Sequence, residues 1–143
     1  MTKPLLQIAL DSTDLASAVT IANSVESFVE VIEVGTILAF AEGMSAVSTL
    51  RKRHPNHILV CDMKTTDGGA ILANMAFEAG ANWITVSAAA HIATIEACKK
   101  VADQFGGEIQ IELYGNWTLA DAQKWVDLGI KQAIYHRSRD AEL

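Results

Sequence analysis

Six short apolar runs recur along the chain at intervals of about 25 residues, each followed by a polar turn and a stretch with helical spacing. The runs are Leu5–Leu10, Val29–Val34, His57–Cys61, Asn82–Val86, Glu108–Leu113 and Lys131–Tyr135. They are rich in β-branched residues and poor in internal charge, as strands buried on both faces are. Between them, five sets of apolar positions keep a helical period. These are Leu15, Val19 and Ala22; Val47 and Leu50, after Gly43; Ile71, Leu72, Met75, Ala76 and Ala79, before Gly80; Ile92, Ile95, Cys98 and Ala102, before Gly106; and Leu119, Ala122, Trp125 and Val126, after the N-cap candidate Thr118. The order βαβαβαβαβαβ requires a parallel sheet covered by helices. An open doubly wound sheet and a closed (β/α)8 barrel both satisfy it. No GxGxxG or GxxxxGK[ST] follows any run, which counts against the nucleotide-binding open sheets.

Composition removes other classes. Half of the 143 residues are hydrophobic, too many for a disordered chain. A formal charge of −6 argues against nucleic acid or an anionic membrane as partner. No apolar run approaches the roughly 18 residues of a membrane span. Two cysteines, Cys61 and Cys98, cannot form a disulfide scaffold, so a reducing, cytoplasmic setting is expected.

Ionisable residues stand at the carboxyl ends of these runs, where barrel enzymes keep their chemistry. The first run ends at Asp11, the second carries Glu33, and the third leads into Asp62 and Lys64. The fifth carries Glu112, and the sixth leads into His136 and Arg139. Each has a plain structural reading. A lone carboxylate at a strand end is commonly a turn former, and Asp67 alone reads as the N-cap of a helix beginning at Gly68. His54 and His57 precede the third strand at the other end of the sheet and are expected in solvent, while His91 opens a helix. Convergence on one rim changes the weighing, because charges too costly to bury singly become one another's partners. Side chains two apart share a face, so Asp62 and Lys64 point together if the chain stays extended. Glu33 and Asp62, hard oxygen donors on neighbouring strands, suit Mg²⁺, and no His/Cys set has zinc spacing. A metal beside Lys64 makes a place for an oxyanion, with His136 and Arg139 near enough to handle a proton. This fits a lyase, aldolase or isomerase acting on a keto sugar.

The segment Asp62-Met63-Lys64-Thr65-Thr66-Asp67 reads DxKxxD and resembles the orotidine 5′-phosphate decarboxylase suprafamily. The segments LQIALD (Leu6–Asp11), IEVGTIL (Ile32–Leu38), CDMKTTDGG (Cys61–Gly69), IQIEL (Ile109–Leu113) and YHRSRDA (Tyr135–Ala141) are most similar to its branch acting on 3-keto-L-gulonate 6-phosphate. The resemblance implies a (β/α)8 TIM barrel, a homodimer with active sites at the interface, and Mg²⁺-dependent decarboxylation to L-xylulose 5-phosphate through a cis-enediolate, as in sugar-acid or ascorbate use. It implies Glu33 and Asp62 as metal ligands and Lys64 as the stabiliser of the enediolate. Asp67 would reach the neighbouring subunit's site, and Asp11 would contact Lys64 or substrate hydroxyls. Glu112, His136 and Arg139 would deliver the proton, while Gly35 and Thr36 would approach substrate closely. The hexulose-6-phosphate synthases share Glu33 and DxKxxD but read HTGxD after strand six, where this chain has His136-Arg137-Ser138-Arg139-Asp140. A non-catalytic remnant that binds sugar or dimerises is the reading from another class.

Six units leave two of the eight unaccounted for, since eight need about 200 residues. Residues 1–143 are therefore expected to form one barrel domain lacking its C-terminal quarter, with strands seven and eight and their phosphate-gripping loops outside this sequence.

Overall fold

In the computed structural model, which describes residues 3–141, each apolar run becomes a strand and each periodic stretch a helix. The elements are β1 (Gln7–Leu10), α1 (Leu15–Val25), β2 (Val31–Val34), α2 (Thr36–Glu42), α3 (Met44–Arg53), β3 (Ile58–Thr65), α4 (Gly69–Glu78), β4 (Trp83–Ser87), α5 (Ile92–Phe105), β5 (Glu108–Glu112), α6 (Leu119–Asp127) and β6 (Gln132–Ile134). A short 3₁₀ turn, Arg139–Ala141, follows.

All five strand pairings are parallel, and the spatial order β1-β2-β3-β4-β5-β6 is the order in sequence. A doubly wound sheet must reverse direction at a switch point, and none exists among the described residues. The sheet instead winds one way as part of a (β/α) barrel. Its curl brings Arg139, beyond β6, to 3.4 Å from Asp11, at the end of β1. Core side chains such as Leu10, Ile32, Leu59, Ile84, Ile109 and Ile111 are buried between sheet and helices. Among the described residues no helix is long and apolar enough to cross a membrane.

Several local expectations need correction. The segment after β2 holds two helices, not one; Gly35 opens α2, and Gly43, at φ 61°, separates it from α3. Helix α4 begins at Gly69 with Gly68 as its cap residue, and Asp67 only accepts a bond from the Gly68 amide. The face α4 buries is Gly69, Ala73, Ala76 and Phe77, whereas Ile71 is 70% exposed. Small residues win that face because α4 lies hard against α5: a Cβ on Gly69 would stand 2.6 Å from the Thr94 carbonyl oxygen. On α6 the capping box of Thr118 and Asp121 is present, and Trp125 is buried, but Leu119 and Val126 remain exposed. His54 is buried rather than solvated, with Nδ1 2.9 Å from Glu26 Oε2. His91 caps α5 as expected.

Candidate active site

A cleft of about 640 Å³ opens at the carboxyl ends of the strands. Its lining includes Asp11, Glu33, Thr36, Asp62, Lys64, Glu112, His136 and Arg139. Residues separated by more than a hundred positions meet here because β1, β2, β3, β5 and β6 carry them to the same rim.

Lys64 lies at the centre. Its Nζ is 2.6 Å from Asp62 Oδ2 and 2.9 Å from Glu112 Oε1, and it donates to Thr36 Oγ1 at 2.8 Å. Asp62 and Lys64 meet as expected, but not through an extended chain: Lys64 has φ 45°, and the β3–β4 register shifts between Cys61 and Thr65. Asp62 also accepts from Thr36 Oγ1 at 2.5 Å and from Thr85 Oγ1 at 2.6 Å. Burial opposes its ionisation, but the bonds from Lys64, Thr36 and Thr85 outweigh burial and hold its carboxyl below the ordinary range. Burial likewise opposes the Lys64 ammonium, and the bonds to Asp62 and Glu112 outweigh it, so Lys64 stays charged. Glu112 is raised, mainly by burial, with the Lys64 bond offsetting part of the rise. Its Oε1 also lies 2.9 Å from His136 Nδ1, so one carboxylate links the lysine to the histidine.

Glu33 stands apart from that network. Its Oε2 accepts from Gln7 Nε2 at 2.7 Å. Burial, assisted by the negative charge of Asp62, pushes its carboxyl up to about 7 despite the Gln7 bond. A divalent cation would relieve that penalty. Three donors reach the Asp62 carboxylate, two on Oδ2 and one on Oδ1, which leaves about one of its four lone-pair sites on Oδ1. No group of three His, Cys, Asp or Glu with metal-holding geometry occurs among the described residues. Two carboxylates with room for water fit Mg²⁺, which seldom takes a full protein cage.

Other expected residues fall at the edges. Asp11 does not bond Lys64; it faces Arg139 across the mouth at 3.4 Å. Gly35 packs on the end of β1, where an added Cβ would stand 2.2 Å from Asp11 Oδ1 and 2.8 Å from the Leu10 carbonyl oxygen. Asp67 is exposed and lines a different depression with Gly68, Ile71 and Thr94. Burial pushes the Cys61 and Cys98 thiols up to about 12 and about 11, so neither is a ready nucleophile.

Sequence reading missed Gln7, Thr85 and Gln110. Gln110 lines the cleft two residues before Glu112, and Gln7 four before Asp11. Their signal was parity: polar residues inside apolar runs, on the face of the strand-end carboxylates.

Comparison with known proteins identifies the family and the fold. The family model for orotidine 5′-phosphate decarboxylase and HUMPS matches residues 4–143. A probable 3-keto-L-gulonate-6-phosphate decarboxylase of Haemophilus influenzae is 61% identical, over 100% of this chain and 68% of its own. The crystal structure of the 3-keto-L-gulonate-6-phosphate decarboxylase of Vibrio cholerae superposes with a TM-score of 0.95 at 79% identity, covering 99% of this chain and 66% of its own. A crystal structure of a 3-hexulose-6-phosphate synthase superposes with a TM-score of 0.91 at 36% identity, covering 96% of this chain and 67% of its own. The chain thus spans about two thirds of the length of these relatives.

Proposed function

Because the chain belongs to the orotidine 5′-phosphate decarboxylase/HUMPS family, we propose that the protein decarboxylates 3-keto-L-gulonate 6-phosphate to L-xylulose 5-phosphate and CO2. The observation that carries this reading is Lys64, a cation held between Asp62 and Glu112 in the cleft, with His136 on the far side of Glu112. Breaking C1–C2 releases CO2 and passes the electron pair through C2–C3 onto the C3 oxygen. The enediolate so formed takes a proton at C2.

Lys64 Nζ is the donor for the developing oxyanion. A donor already in place costs no reorganisation when charge develops, and one such bond is typically worth about 2.7–4 kcal/mol of barrier. Glu112 steadies both Lys64 and His136, so donor and proton source move as one unit. His136 and Arg139, on the β6 side, deliver the proton at C2. Asp11, paired with Arg139, meets the substrate hydroxyls, while Gly35 and Thr36 let the α2 entrance approach the substrate. Glu33 and Asp62 would hold Mg²⁺, whose Lewis acidity would stabilise the enediolate oxygens.

The functional unit in this reading is a homodimer in the cytoplasm. Asp67 enters the partner's site from a surface that also carries exposed Ile71. Two buried free thiols suit a reducing compartment.

The fold does not separate decarboxylase from aldolase, since the synthase superposes almost as well. His136-Arg137-Ser138-Arg139 favours the decarboxylase. The test supplies the Mg²⁺-loaded protein with 3-keto-L-gulonate 6-phosphate in one reaction and formaldehyde plus ribulose 5-phosphate in another. Faster CO2 release is expected. Faster condensation would replace this reading with the synthase, and no turnover from folded, Mg²⁺-loaded dimer would leave the non-catalytic one.

A further inference from the structure

One hydroxyl joins the two residues on which the proposed reaction most depends. The β3–β4 ladder pairs Cys61 with Ile84 and resumes with Thr65 opposite Val86. Thr85 therefore stands alone against Asp62, Met63 and Lys64. The excess length bulges out of β3 and turns Lys64 to φ 45°, the one positive φ at a non-glycine among the described residues. An L-residue adopts that conformation at a cost and keeps it only where neighbours hold it.

Thr85 supplies the hold. Without a ladder partner, the Lys64 amide donates to Thr85 Oγ1 at 2.9 Å. That same oxygen donates its only proton to Asp62 Oδ1 at 2.6 Å. The direction is fixed chemically, because an amide N–H can only donate and an ionised carboxylate can only accept. Thr85 is fully buried, so water does not compete for either bond.

Both bonds aim at the cleft. Anchoring Oδ1 on β4 turns Oδ2 of Asp62 toward Lys64 Nζ. Anchoring the Lys64 amide fixes the point from which that side chain sets out. We propose that Thr85 is a positioning residue: its single hydroxyl holds the Asp62 carboxylate and the left-handed Lys64 backbone in register, and so places the Lys64 ammonium for catalysis. This rests on the proposed decarboxylation, although the geometric part stands without it.

Two substitutions separate positioning from packing. Thr85→Val keeps the shape and loses the hydroxyl; Thr85→Ser keeps the hydroxyl and loses a buried methyl. Positioning predicts that Thr85→Val loses about 10–100-fold in kcat, as is typical when a partner behind a catalytic group is removed, with KM little changed. Thr85→Ser recovers most of that turnover despite its poorer packing. A packing role predicts the reverse order, with valine the better replacement, and that order would overturn the proposal. Hydrogen exchange at the Lys64 amide gives a readout independent of turnover: slow in the parent and in Thr85→Ser, faster in Thr85→Val. Unchanged exchange in Thr85→Val contradicts the proposal even if the substrate assignment is correct. Faster exchange from a protein that decarboxylates nothing would keep the geometric role and remove the catalytic reading. Should Thr85→Val fail to fold, a large loss of kcat in Thr85→Ser would still refute positioning.

Discussion

Glu33 shows most plainly what a site residue costs the fold. Its carboxyl is raised to about 7 from an ordinary 4.5, so the folded chain holds this proton more tightly than the unfolded chain does. Its contribution is fully present below about pH 4.5 and is lost as pH rises through about 7. The loss is about 3 kcal/mol at 1.36 kcal/mol per unit. Metal-free Glu33→Gln should therefore unfold at a higher temperature than the parent at pH 8, and near the parent's temperature at pH 4. Calorimetry at the two pH values checks this; a variant no more stable than the parent at pH 8 contradicts it. Mg²⁺ should narrow the gap by stabilising the parent alone, since binding to the folded state adds stability.

At the scale of elements, the junction between β1 and α2 leaves no room for a side chain at Gly35. The Gly35 amide bonds the Leu10 carbonyl at 3.0 Å, and a Cβ on Gly35 would collide with that carbonyl and with Asp11. Backbone cannot swing aside as a side chain can. Gly35→Ala should lower stability by about 1–3 kcal/mol, visible as a reduced Tm, and should weaken substrate binding through Asp11. A Tm equal to the parent's would show that the junction gives way freely. Elements of this kind were only partly legible in the sequence. Strands β2 to β5 were readable because burial on both faces leaves continuous apolar runs; β1 and β6 show such runs too, although exposed positions interrupt their burial. The strand-end residues were readable because charge interrupts those runs at one end. Helix α2 was not, because it packs seven residues between two glycines, too few to display a period. The α4 face was not, because Ile71 and Met75, two of its large apolar residues, point outward while Gly69, Ala73 and Ala76 pack inward beside Phe77. The β3 bulge has no local sequence mark, since Met63 and Lys64 suit an extended strand equally well.

For the whole molecule, one-way winding of six parallel strands gathers Asp11, Glu33, Asp62, Lys64, Glu112 and His136 at one cleft. Asp67 stands outside it, on a surface shared with exposed Ile71. If that surface meets a second copy, Ile71→Glu should shift the protein from dimer to monomer in sedimentation and lower turnover with it. A dimer of unchanged stability would place the interface elsewhere. All three scales converge on Lys64, which the bulge orients, two strands pair and the curled sheet exposes to the cleft. The most direct measurement is the rate of CO2 release by Lys64→Ala in saturating Mg²⁺, beside a circular dichroism spectrum showing the fold intact. A loss of kcat of about 10²–10³-fold with the parent's spectrum is expected, the usual effect of removing one oxyanion donor. A kcat equal to the parent's would contradict the role given to Lys64, and with it the catalytic reading of the cleft.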